Sequence, residues 1–221
     1  MGWWEFIAAY AAFFLSHAVP VRPRTKGRIA ALVRRGGFTL AYSALSIAVL
    51  AWLISAAGRA PFVPLWDWAP WHPHLVLTLM LAVSLIVALT LGRPNPFSFG
   101  GPDAGFDPTH PGILRFMRHP LLVALALWAG AHMLANGDLA HVILFGGFAG
   151  FAILGQFLID RRRRRQMGGI WDAARAALRD APWLHAPCRW PELVFRVAAG
   201  ISAFYALIML HPHLFGVSPL P

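Results

Sequence analysis

Apolar residues gather in six stretches separated by short polar segments. Five are uninterrupted by charge: 38–57, 75–91, 121–135, 139–159 and 197–210. A sixth, 3–19, carries Glu5 near its start and His17 near its end. Twenty residues at 38–57 cover the hydrocarbon core of a bilayer, roughly 30 Å at ~1.5 Å rise per residue. The shorter stretches reach that length with their flanks. The pattern predicts an all-α, polytopic integral membrane protein: a single domain over 1–221, built as a bundle of six transmembrane helices near 3–19, 38–57, 74–92, 119–135, 139–159 and 193–210.

Basic residues orient these spans. Arg22, Arg24, Lys26, Arg28, Arg34 and Arg35 lie between the first two stretches, and Arg93, Arg115 and Arg118 between the third and fourth. Arg161–Arg165, Arg175, Arg179, Arg189 and the junctional Arg196 lie between the fifth and sixth. The other connections and both ends hold one basic residue, Arg59. The positive-inside rule then puts three basic loops in the cytoplasm and both termini outside. The segment Gly2-Trp3-Trp4-Glu5 lacks the positive charge of a secretory signal and reads as the start of a membrane helix.

Composition agrees: 58% of residues are hydrophobic and only 13% charged, about half the share usual in a soluble domain. The net charge of +10 does not call for nucleic acid as a partner, because topology and anionic lipid headgroups account for it. A single cysteine, Cys188, excludes an internal disulfide and a cysteine-based metal site.

Three segments qualify the simple bundle. Gly146 and Gly150, inside the fifth span, have the small-x-x-x-small spacing that lets a neighbouring helix or a flat ligand approach. The prolines and glycines of 93–108 forbid a helix, and Phe97, Phe99 and Phe106 predict an ordered inner loop lying against the membrane interface. Within 168–180, Ile170, Trp171, Ala174 and Leu178 recur at helical spacing opposite Arg175 and Arg179, predicting an interfacial amphipathic helix.

Ten histidines supply the main chemical signal. His72, His74, His211 and His213 fall in clusters with proline at the outer surface. His119 opens the fourth span in Arg118-His119-Pro120, where proline suits the first turn. His17 and His132 differ, being flanked by apolar side chains on both sides. A neutral imidazole among Phe, Trp and Leu needs a partner for its nitrogens: a structural hydrogen bond, or an iron whose porphyrin fills a flat apolar slot. No Cys or carboxylate stands near either to complete a zinc site. A cluster of Arg115, Arg118, His110 and His119 with Asp103 and Asp107 is expected around 105–120, forming a functional lid.

The run Gly105-Phe106-Asp107-Pro108-Thr109-His110-Pro111-Gly112-Ile113-Leu114-Arg115-Phe116-Met117-Arg118-His119-Pro120-Leu121-Leu122 continues through Leu127-Trp128-Ala129-Gly130-Ala131-His132 and Asn136-Gly137-Asp138. With Leu15-Ser16-His17, the basic loop after it and the glycine-rich fifth span, it resembles the NnrU family. Those are bacterial membrane proteins associated with nitrite and nitric oxide reductase expression in denitrification. NnrU proteins in turn resemble zeta-carotene isomerase, a haem b membrane enzyme. The resemblance implies haem b with His17 and His132 as iron ligands and other denitrification membrane proteins as partners; a bacterial inner membrane, taken with the loop charges, puts both termini in the periplasm. It leaves open whether the chain is an isomerase-like enzyme or a non-catalytic accessory protein. Around the haem, His119, Arg118 and Arg115 are the further cofactor-binding candidates, the arginines as propionate clamps.

One departure matters. Ala129 stands where the isomerase has a cysteine three residues before its second histidine, so thiolate chemistry is not expected here. Depth raises a second point, because thirteen residues of straight helix between His119 and His132 rise about 20 Å. Either the fourth span tilts or breaks, the haem plane absorbs the depth, or His17 and His132 serve different sites, with His119 nearer to His17. Arg118-His119-Pro120 also resembles the cofactor segment of isoprenylcysteine-type membrane methyltransferases, which use S-adenosylmethionine. Leu122 and Ala124 replace the tyrosine and glycine of that segment, and only Asp160 stands for the acidic pair expected later.

Overall fold

The computed structural model describes residues 2–19, 23–100, 102, 104–181 and 190–220, with the backbone alone at 23–24 and 26–35. Expectations resting on Asp103, Cys188, Arg189 and the side chains of Arg22, Arg24, Lys26, Arg28, Arg34 and Arg35 lie outside the described residues. The described chain is all-helical: α1 (Trp3–Ala18), α2 (Pro23–Gly58), α3 (His72–Thr90), a 3-10 turn (Gly112–Arg115), α4 (Pro120–Asn136), α5 (Leu139–Met167), α6 (Gly169–Asp180) and α7 (Trp190–Phe215).

Four helical segments are long and apolar enough to cross a membrane: Gly36–Gly58, His72–Thr90, Leu139–Met167 and Trp190–Phe215. The helices α1 and α4, with 16 and 17 residues, are shorter than the ~20 residues typical of a crossing helix.

Several helices outrun the apolar stretches that predict them. α2 begins at Pro23, well before the apolar run at 38, and α5 continues through Arg161–Arg165 to Met167. Hydropathy marks where lipid would lie, whereas arginine, lysine and alanine are strong helix formers whatever their depth. Proline at the first turn gives α2 a favourable start. At ~1.5 Å per residue the 29 residues of α5 extend about 44 Å, well beyond a hydrocarbon core. Gly168, at φ +57°, separates α5 from α6. Left-handed backbone of that kind favours glycine.

Contacts divide the chain into two compact units. The first comprises 1–67 and 137–144. Here α1 lies on α2, burying Phe6 and Ala9 from one helix and Leu53, Ala56 and Ala57 from the other. Glu5, which interrupts the first apolar stretch, is paired with Arg59. The segment after α2 is pinned by backbone hydrogen bonds from Leu65 N to Gly137 O (2.8 Å) and from Leu139 N to Val63 O (2.9 Å). Asp138 then caps α5, its Oδ1 accepting from the amides of Ala140 and His141 and its Oδ2 lying 2.6 Å from His141 Nδ1.

The second unit comprises 68–136 and 145–221. α3 packs on α4 and α7, and Val83, Ile86 and Ala124 form a buried core with Trp128 and Leu127 against it. Arg196 of α7 donates through NH1 to the carbonyls of Ala88 and Leu91, both at 2.9 Å, satisfying otherwise open groups at the end of α3. A methyl group at Gly200 would lie 3.2 Å from Ala88 Cβ, Leu85 Cδ2 and the Ser84 carbonyl oxygen. At Gly150 it would meet nothing within 4 Å, and at Gly146 only Met133 Sδ at 4.0 Å. The close helix approach expected at Gly146 and Gly150 therefore falls at Gly200 instead.

Gly200→Leu is expected to wedge α3 from α7 and cost about 1–3 kcal/mol, the usual range for overpacking. Gly150→Leu should leave the unfolding temperature in detergent within a degree or two of the parent. Equal effects at the two positions would contradict this packing.

The second unit also orders the loop before α4. Phe97 is fully buried and forms a core with Leu114, Trp171 and Leu178, with Phe106 and Ile113 packed around it. The helix α6 forms where helical spacing places it. Its Trp171 and Leu178 are spent on this protein core, while Ile170 is exposed.

Candidate functional site

His17 and His132 repeat one local arrangement. His17 Nδ1 donates to the Phe13 carbonyl at 2.8 Å, and His132 Nδ1 donates to the Trp128 carbonyl at 2.9 Å. Each bond reaches back one helical turn, and each makes Nδ1 the donor nitrogen of its ring. The Nε2 atom of each is left as the acceptor or ligating nitrogen, with no hydrogen-bond partner among the described residues. Each ring also lies against the aromatic side chain four residues earlier, Phe13 with centroids 4.2 Å apart and Trp128 at 4.7 Å. Phe145 covers His132 from α5 at 5.1 Å. Both histidines are half-buried. His17 belongs to the first unit and His132 to the second.

Among the described residues no three of His, Cys, Asp and Glu converge as a metal cage. A metal held at either histidine would therefore draw its other ligands from outside such a cluster. A porphyrin does that, supplying four nitrogens and leaving axial positions for imidazole. The donor set and the aromatic walls suit that group.

A second polar centre surrounds the start of α4. Arg118 and His119 both reach α5, where Asp160 receives them: Arg118 NH2 lies 2.7 Å from Oδ2, and His119 Nε2 lies 2.9 Å from Oδ1. His119 is only 2% exposed, while Arg118 and Asp160 keep limited access at 32% and 22%. Asn95 anchors the loop beneath them. Its Nδ2 donates to the Arg118 carbonyl at 3.1 Å, and its Oδ1 accepts from the amides of Phe97 (2.9 Å) and Ser98 (3.2 Å). Arg163, one turn beyond Asp160, donates to the Ser98 carbonyl at 3.4 Å.

The cluster expected around 105–120 thus separates into three parts. Arg118 and His119 pair with Asp160, not with Asp107. Arg115 donates through Nε to the Ala181 carbonyl at 3.0 Å, tying the 3-10 turn to the end of α6. His110 pairs with Asp107 at 2.8 Å in an exposed turn. There the Thr109 hydroxyl, and after it His110, hold the Asp107 carboxyl down at about 2. These contacts favour folding above the ordinary carboxylate range and are lost as pH falls through about 2.

Sequence reasoning missed Asn95 and Ser98, and it read Asp160 as the remnant of an absent motif. Asp160 carried a signal: it is the only carboxylate at the junction of an apolar span and five arginines. The prolinated histidines are more ordinary. His72 is buried and accepts from the Ala69 amide, and His211 Nδ1 donates to the Val217 carbonyl.

No curated protein and no solved structure matches this chain. A family model described as NnrU protein does, over residues 5–219. That span takes in both histidines, the Arg118–His119–Asp160 centre and nearly the whole chain, which therefore belongs to the NnrU family.

Proposed function

We propose that this NnrU protein is a six-span protein of the bacterial inner membrane that binds b-type haem through His17, His132 or both and supports nitrite and nitric oxide reductase function. The observation that carries the haem reading is the matched hydrogen bond from Nδ1 to the carbonyl four residues back. Metal-ligating histidines characteristically donate their second ring N–H in this way, which orients the ring and raises the basicity of the ligating nitrogen. Nε2 of His17 and of His132 would hold the iron, against Phe13 and against Trp128 and Phe145 respectively. When bound, haem supplies an iron that exchanges one electron and can take a small ligand if an imidazole leaves. Ala129 offers no thiolate beside it.

Purified protein from haem-replete cells should show a Soret band, and both His17→Ala and His132→Ala should weaken or abolish it. Loss in one variant only would assign the haem to that histidine. A colourless parent protein would sink the reading. For orientation, a reporter active only in the cytoplasm should stay silent when fused to the C-terminus, since the described outer ends lack the basic residues that retain a loop inside.

A further inference from the structure

Four buried polar atoms of the second unit lack a hydrogen-bond partner among the described residues: Ser98 Oγ, Arg118 Nε, His119 Nδ1 and Trp171 Nε1. Each such atom costs about 1–3 kcal/mol if nothing meets it, so native proteins rarely leave one alone. Three of the four belong to one network. Arg118 and His119 share the Asp160 carboxylate. Ser98 is held through its amide by Asn95, whose other end donates to the Arg118 carbonyl. Ser98 and His119 are each only 2% exposed.

Among the described residues Asp160 is the single carboxylate of the network, and it is already shared by the Arg118 guanidinium and the His119 ring. The first amides of α4, just after His119, add the positive end of a helix dipole. That terminus favours an anion.

We propose that Ser98 Oγ, Arg118 Nε and His119 Nδ1 form a binding site for a phosphate group carrying one exchangeable proton, separate from the two haem histidines. The choice of phosphate follows from the mixture of orphan groups. Ser98 and Arg118 offer donors, which any oxyanion accepts. His119 presents a nitrogen whose ring is already committed through Nε2 to Asp160. With Nε2 donating to Asp160, the neutral ring presents Nδ1 as an acceptor, which accepts from the P–OH group that phosphate retains at neutral pH. Sulfate and carboxylates are fully ionised there and have no hydroxyl to give. The phosphate could be free, a soluble monoester, or the monoester headgroup of an anionic lipid such as phosphatidic acid.

The test uses full-length protein in detergent and phosphate-free buffer at pH 7, titrated calorimetrically with inorganic phosphate and then with sulfate at matched ionic strength. Phosphate should bind saturably and at least about tenfold more tightly than sulfate, the size of one hydrogen bond gained against one left unmade. Ser98→Ala should weaken phosphate, and His119→Gln should erase the preference over sulfate. Because His119→Gln could unfold the loop, the comparison of the two anions on the unaltered protein stands without it. Nanodiscs of phosphatidylcholine with and without phosphatidic acid separate the sources. Binding of inorganic phosphate in the plain discs marks a soluble ligand. Stabilisation that needs phosphatidic acid and is lost in Ser98→Ala marks a lipid headgroup. Equal responses to phosphate and sulfate, or none to any phosphate source, would mean that buried water alone meets these atoms, and would overturn the proposal.

Discussion

Asp160→Ala is expected to lower the apparent unfolding temperature in detergent by about 5–10 °C. The carboxylate accepts from Arg118 at 2.7 Å and from His119 at 2.9 Å, so one substitution strips two partners at once. Breaking a fully buried ion pair from one side costs about 3–5 kcal/mol, because the surviving charge keeps its desolvation penalty. Arg118 and Asp160 retain some solvent access, which brings the figure to about 2–3 kcal/mol. For a chain of this size each kcal/mol corresponds to roughly 2–4 °C. Arg118 already has a buried Nε without a partner, and His119 would be left with no partner on either nitrogen. Asp160→Asn keeps one acceptor oxygen and removes the charge, so it should fall between alanine and the parent. If asparagine and alanine are alike and both near the parent, the Asp160 contacts contribute nothing to stability and the centre is held by its backbone alone.

The parts legible from sequence are those that depend on local pattern. Every apolar stretch became a helix, because periodicity and hydropathy act over a few turns. The described residues of 93–108 escape helix as the prolines require, and α6 forms at the spacing of Trp171, Ala174 and Leu178. Helix ends were less legible. Arg161–Arg165 stop an apolar run without stopping a helix, so α5 outlasts its hydropathy. Pairings were the least legible. Asp107 is nearer to Arg115 and Arg118 in sequence, yet it closes an Asx-type turn with Thr109 and His110 and is thereby used up. Asp160, about forty residues away, takes the role that nearness suggested for Asp107. Likewise Phe97, expected at the membrane interface, lies instead in a protein core whose other side, Trp171 and Leu178, comes from α6. Long-range partners of this kind follow from where two helices meet, and no spacing along one of them records it. His17 and His132 were singled out because their tell is local: an imidazole flanked by apolar residues, with an aromatic one turn before.

The largest local effect is expected at Asn95. Its side chain is 2% exposed and makes three bonds, each to a backbone group that has few alternatives in that loop. Oδ1 accepts from the Phe97 and Ser98 amides, bending the chain into an Asx turn, and Nδ2 donates to the Arg118 carbonyl. Asn95→Ala leaves those three groups unmet, at about 1–3 kcal/mol each, so a local loss of at least about 3 kcal/mol is expected. Hydrogen exchange reads this directly. The Phe97 and Ser98 amides should exchange at least a hundredfold faster in Asn95→Ala, since about 2.8 kcal/mol corresponds to two decades. Asn95→Asp is the discriminating control. It keeps both accepted bonds and should preserve the two amides, while turning an oxygen toward the Arg118 carbonyl in place of the donor. The damage should then move to the Arg118–His119 side, seen as weaker pairing with Asp160. The rival cause of order in this loop is the Phe97 ring, wedged among Phe106, Leu114 and Trp171. If apolar packing alone holds the loop, Phe97→Ala will release both amides and Asn95→Ala will not. If the side-chain amide holds it, Asn95→Ala will release them with the Phe97 ring still in place, and the turn that positions Ser98 beside Arg118 will prove to be built from one asparagine.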